Sequence, residues 1–187
     1  VGSAASLDLS AVGAMPDDVV TCTASVSDTQ GASASDAASV TLDNQAPTID
    51  AVSIDTAPVY STSLVDCSAS FTDLDGESLS ITYAWSVSGV TIGSSASLQL
   101  DNTLVQPNDT LICTASVSDN YGSTASASDS ITVSNTDPSL SAFALSPAAP
   151  VVADTLSCTL TASDIDGDTP TAAFGWTNTT TGAALNA

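Results

Sequence analysis

Two short acidic strings, DLDGE at 73–77 and DIDGD at 164–168, hold the residues best suited to do chemistry. In each, carboxylates alternate around a turn glycine: Asp73, Asp75 and Glu77 around Gly76, then Asp164, Asp166 and Asp168 around Gly167. Oxygen donors at that density suit one hard cation, Ca²⁺ above all, which takes about six to eight oxygens. The strings are not the twelve-residue EF-hand loop with its closing Glu, and DxDG is also ordinary turn chemistry on an acidic surface. The other reactive groups are four cysteines, Cys22, Cys67, Cys113 and Cys158. They show no CxxC spacing and the chain has no His, so a zinc site lacks its ligands. Disulfides in an oxidising compartment and buried free thiols in a reducing one both stay open at this point.

Composition removes whole classes of function. The chain has no Lys, Arg or His against 21 acidic residues, a formal charge of −21. Nucleic-acid binding rests on basic side chains that neutralise phosphates, so no such partner is expected. Adhesion to anionic lipid through a basic patch falls for the same reason. Ser-His triads, Schiff-base lysines and Arg phosphate clamps are equally out of reach. A paired-carboxylate hydrolase is formally allowed, but no spacing singles out such a pair, and we expect no enzyme. Highly charged chains are often disordered; here 43% of residues are hydrophobic and they are patterned, which predicts a folded protein. No apolar run reaches the roughly 20 residues that span a bilayer, so no direct membrane insertion is expected. The start VGSAASLDLS has no signal-peptide character and no initiator Met, which reads as a mature or excised piece.

The elements that must position these groups come from a repeat. The heptad CTASVSD occurs at 22–28 and again at 113–119. The same 91-residue shift aligns Cys67 with Cys158, Trp85 with Trp176, Pro47 with Pro138 and Pro16 with Pro107, with no insertion or deletion. The turn-rich stretches DNQAPTID (43–50) and SNTDPSL (134–140) mark boundaries. One complete module therefore covers 46–136, preceded by the C-terminal half of another at 1–45 and followed by the N-terminal half of a third at 137–187. Inside the complete module apolar residues alternate: Val65, Cys67, Ala69 and Phe71; Ile81, Tyr83, Trp85 and Val87; Leu111, Cys113, Ala115 and Val117. Period two predicts half-buried antiparallel strands. Further strands are expected at 52–54, 90–92, 98–100 and 131–133, about seven in all, with no helix. The fold class is all-β.

Cys67 on the second strand, Trp85 on the third and Cys113 on the sixth follow the Cys…Trp…Cys order of the immunoglobulin sandwich. The strings CSASFTDLDGESLSITYAWSVSG (67–89), NDTLICTASVSDNYGS (108–123) and CTLTASDIDGDTPTAAFGW (158–176) resemble the bacterial immunoglobulin-like or PKD-like (polycystic kidney disease) tandem repeats of very large secreted and surface proteins. Leu111 and Val20 stand where antibody-type domains carry the tyrosine of their corner. The resemblance implies a Cys67–Cys113 bridge between sheets with Trp85 packed on it. It implies that Cys158 pairs onward with an equivalent of Cys22. It also brings the DLDGE loop to the same end of the sandwich as Asp119 and Asn120, facing Asp17, Asp18, Asp43 and Asn44 of the preceding module. A junctional Ca²⁺, as in cadherin-like arrays, is the corresponding expectation.

The resulting functional expectation is a structural segment of an extracellular filament, surface rod or adhesin stalk, its partners being copies or neighbouring repeats of itself. The competing expectation is a module that recognises a glycan or a cell-surface protein through its loops. Only 4% of residues are aromatic, and Tyr83, Trp85, Phe174 and Trp176 are assigned to cores, leaving Tyr60 and Tyr121 for such a face. Asn108-Asp-Thr and Asn178-Thr-Thr match the N-glycosylation sequon, but Ser and Thr are read chiefly as a soluble coat on outer strand faces.

Overall fold

Alternating β-branched and small residues give strands almost everywhere in the computed structural model, which describes residues 5–185. A hairpin of β1 (Val19–Ser27) and β2 (Ser33–Thr41) comes first. Then β3 (Thr48–Ile54), β4 (Val59–Tyr60), β5 (Leu64–Thr72), β6 (Ser80–Val87), β7 (Val90–Gly93), β8 (Ser97–Gln99), β9 (Thr110–Ser118) and β10 (Thr124–Ser134) build a two-sheet sandwich. A second hairpin, β11 (Ser139–Ser146) and β12 (Ser157–Ser163), follows, and β13 (Thr177–Asn178) pairs with β14 (Ala183–Ala184). The one helical element among the described residues is a 3-10 turn at Ser10–Val12, and no helix there is long and apolar enough to cross a membrane.

One sheet of the sandwich has the order β3-β5-β8 and the other β4-β10-β9-β6-β7, antiparallel except where β4 runs parallel to β10. The strands are longer than the apolar signal suggested. β10 is expected from 131–133 alone, yet it begins at Thr124, because TASASDS pairs residue for residue with β9 even though it has little to bury. The β6–β7 turn places Ser88 and Gly89 at φ 50° and 80°, the left-handed pair that matches strand twist in a two-residue hairpin.

Between the sheets Val65, Cys67, Trp85, Val87, Leu100, Leu111, Cys113 and Val133 form the core, with Tyr83, Ile54 and Val52 packed against it. On β9 every second side chain, Leu111, Cys113, Ala115 and Val117, is buried. Cys67 and Cys113 are disulfide-bonded with their Cα atoms 6.4 Å apart, which ties the two sheets together. Trp85 lies beside Cys113 in the sheet, fully buried, and its indole N–H donates to Ser95 O at 2.9 Å. Closing a loop of this size is worth about 4 kcal/mol in the chain-entropy account. That is a large share of the few to fifteen kcal/mol typical of a domain. Where β3 of one sheet passes β10 of the other, Asp129 accepts the Ile54 backbone N–H at 2.9 Å.

The flanking segments repeat the sequence without repeating the burial. β1 contains the same heptad as β9, yet Cys22 is exposed and Val26 is 71% exposed, against 1% for Val117. The difference is in the neighbours: β9 lies between β10 and β6 and under the β3-β5-β8 sheet, whereas β1 has β2 alone. The core placement of Phe174 and Trp176 is corrected for the same reason. Phe174 is 51% exposed and Trp176 only half-buried, and residues 171–176, one period after the start of β6, form no strand because no counterpart of β9 lies alongside. Val117→Ala should therefore destabilise the monomeric chain by about 2 kcal/mol, and Val26→Ala, at the same place in the same heptad, by less than about 0.5 kcal/mol. Urea unfolding of the two variants is the check.

Candidate metal centre at a module junction

Three segments meet at the end of the sandwich next to the first linker: the β5–β6 loop with Asp73, Asp75 and Glu77, the β9–β10 loop with Asp119, and the linker residues Asn44 and Gln45. Asp73 Oδ1 accepts the Asp75 backbone N–H at 2.8 Å, which bends the chain tightly, and Gly76 follows at φ 77°, where a Cβ would be strained. Asp119 Oδ1 accepts the N–H groups of Tyr121 and Ser123 at 2.9 and 2.8 Å, and its Oδ2 accepts Asn44 Nδ2 at 2.9 Å. Asn44 Nδ2 also donates to Ser123 Oγ at 3.0 Å, which orients the amide with its carbonyl oxygen free.

These contacts assemble oxygens that have no donor. Carboxylate oxygens of Asp73, Glu77 and Asp119 lie within 4.8 Å of one another. Among the described residues they are the one such group. Asp73 Oδ2, both Glu77 oxygens and Asn44 Oδ1 are buried without a hydrogen-bond partner. Buried acceptors are normally satisfied, and three carboxylates so close together repel. Glu77 registers this: burial raises its pKa, its own backbone N–H works in the opposite direction, and the charges of Asp73, Asp75 and Asp119 raise it further. Burial also pushes Asp119 up, but the hydrogen bonds from Asn44, Ser123, Tyr121 and Gly122 outweigh that and hold it below the usual range. The Tyr121 phenol is pushed up by burial and then by Glu77, Asp17, Asp18 and Asp75. An all-oxygen set of carboxylates and an amide carbonyl fits Ca²⁺ rather than a metal that seeks nitrogen or sulfur.

Asp75, expected among the ligands, turns away. Its Oδ2 accepts the Gln45 backbone N–H at 2.6 Å and so fastens the linker. One period later Asp166 repeats the bond, Oδ2 accepting Thr136 N–H at 2.6 Å, and adds a short hydrogen bond from Ser61 Oγ of the central sandwich. Asp166 is fully buried. The Ser61 hydroxyl is the main cause that keeps its pKa low, burial opposes it, and Thr136 supports it. Asp164 Oδ1 caps the Asp166 N–H at 2.8 Å, while Asp168 is exposed, so the second loop brings no comparable group of carboxylates together. Asp17 and Asp18 stay outside the cluster: Asp17 N–H donates to Leu42 O, and Asp18 Oδ2 accepts Met15 N–H at 2.9 Å. Asn44 as an oriented oxygen donor, and Ser61 as a junction bond, were invisible in sequence; the 91-residue pairing of Gln45 with Thr136 beside the two DxDG strings was the signal available.

Tyr60 and Tyr121 do not form one face. Tyr60 lies opposite Ser134 at one end of β10 and Tyr121 just before its other end, roughly 30 Å away at strand rise. Compared with family models, with curated proteins and with solved structures, the chain gives no match.

Two outcomes follow. Glu77→Gln removes a like charge from the cluster and one ligand from the cation: its melting temperature should exceed the parent's in chelator, and its gain on adding Ca²⁺ should be the smaller of the two. Ser61→Ala should destabilise the junction by about 2 kcal/mol at neutral pH. Because the folded pKa of Asp166 is depressed, its contribution is present above the unfolded value of about 3.9 and is lost as pH falls through the lower folded pKa. The Ser61→Ala difference, read by urea unfolding, should therefore shrink toward pH 2.

Proposed function

We propose that this chain is a load-bearing segment of a tandem-module rod at a cell surface or outside the cell, and that Ca²⁺ held by Asp73, Glu77, Asp119 and Asn44 sets the stiffness of its junctions. The observation that carries the reading is the repeated junction bond. Asp75 holds the Gln45 backbone N–H and Asp166 holds that of Thr136, at the same 2.6 Å and 91 residues apart. A chain that fastens successive linkers in the same way controls module orientation, which matters for a rod and not for free domains on a string. The resemblance to bacterial immunoglobulin-like repeats supports the same reading. So does the inter-sheet disulfide, since such bonds persist in oxidising compartments.

The cation has a clear task. A surface of formal charge −21 with no basic residue repels itself along its length. Ca²⁺ at the junction neutralises the most crowded carboxylates and gives Asn44 on the linker a common partner with Glu77 and Asp73 on the sandwich. Small-angle scattering of the monomeric chain tests this. In Ca²⁺ the particle should be elongated, and chelator should broaden its distance distribution as the first junction loosens. A compact particle near the roughly 16 Å radius of gyration of a 187-residue globule, unchanged by chelator, would contradict the rod.

A further inference from the structure

The two flanking segments are halves of one sandwich. β1 and β2 correspond to β9 and β10, and β11 and β12 correspond to β3 and β5, each at 91 residues. Each half exposes what the other half's counterpart covers in the central sandwich. On the N-terminal half Val26 and Val40 are 71% and 63% exposed; on the C-terminal half Leu140, Phe143 and Phe174 are 60%, 64% and 51% exposed. Cys22 and Cys158, the counterparts of the bonded Cys113 and Cys67, are free.

The central sandwich also supplies the register. Trp85 faces Cys113 across β6 and β9, which transfers to Trp176 facing Cys22. Val65 faces Leu98 across β5 and β8, which transfers to Leu156 facing Leu7, both apolar and 37% and 50% exposed. Residues 171–176, left without strand structure, gain in this register the partner that makes a strand of β6. One chain cannot close the sandwich with its own two halves. They are attached at opposite ends of the central sandwich, one by the linker at 42–47 beside Asp75 and the other by the linker at 135–138 beside Ser61.

We propose that the occupant of each half is the complementary half of a second copy of this chain, so that residues 139–184 of one copy and 6–43 of the next close a full sandwich. Cys158 and the next copy's Cys22 then form its inter-sheet bridge. Each thiol loses one proton and one electron, and a disulfide oxidant such as oxidised glutathione is reduced to two thiols. The contact is head-to-tail, so it leaves a free half at each end and propagates as a filament. This inference rests on the rod reading and names its partner.

The test is oxidation of the purified chain in a glutathione redox buffer, followed by non-reducing electrophoresis and mass mapping of cross-linked peptides. The expected result is a ladder of dimer, trimer and higher species linked by Cys22–Cys158. Cys22→Ser alone and Cys158→Ser alone should each run as monomers, while an equal mixture of the two should give covalent dimers and stop there, since each pair has one bridge to make. A monomer with an internal Cys22–Cys158 bridge, a monomer with both thiols free, or Cys22–Cys22 and Cys158–Cys158 dimers from the single variants would overturn it. The Cys67–Cys113 bridge is read in the same maps: if it is intact while the ladder is absent, copy-to-copy closure fails and the rod reading stands.

Discussion

A strand here is buried only if a second sheet faces it, and everything else in the molecule depends on that condition. Alternation gives each strand one apolar face, but burying that face at about 25 cal/mol per Å² needs a partner surface. In the central sandwich the partner is present and is held in place by Cys67–Cys113, with Trp85 beside the bridge. At β1 it is absent, and an identical heptad lies open to solvent. The same seven residues with opposite burial separate two causes that usually act together: local sequence decides that a strand forms, and topology decides whether it becomes core.

The chain also solves an electrostatic problem without a single cationic side chain. Hydroxyl groups take the place that Lys and Arg hold elsewhere. Ser10 on Asp8, Ser53 and Ser68 on Asp55, Thr103 on Asp101 and Ser61 on Asp166 are each the leading cause that keeps those carboxyls ionised below their usual range. Ser97 serves Asp66 in the same manner. The abundance of Ser and Thr is thus more than a soluble coat. Glu77 stands apart: no donor reaches either of its oxygens, three other carboxylates raise its pKa, and an oriented amide oxygen points at the same place. A divalent cation is the partner that chemistry of this kind accepts.

Much of the fold was legible because period-two alternation needs no knowledge of the partner. Val65 to Phe71, Ile81 to Val87 and Leu111 to Val117 declared β5, β6 and β9. What escaped was whatever depends on pairing rather than pattern. The Ser- and Ala-rich start of β10 is a strand because β9 lies next to it, and the two-residue β4 exists because β10 offers it an edge. The acidic loop was legible as a cluster but not in its division of labour. Asp73, Glu77 and Asp75 stand two residues apart, yet a tight turn sends the first two into the junction and the third onto the linker. Burial of Trp176 was misjudged because a core position in a repeat was read as if the other half of its module were at hand.

The most direct test of this account is the disulfide map of the monomeric chain after alkylation under native, non-reducing conditions. An Asp-directed protease is needed, because the chain contains no Lys or Arg for trypsin. The account predicts Cys67 joined to Cys113 in every molecule, with Cys22 and Cys158 alkylated. Cys22 joined to Cys67, or label on Cys67 and Cys113, would contradict the division of the repeat into one closed sandwich and two open halves.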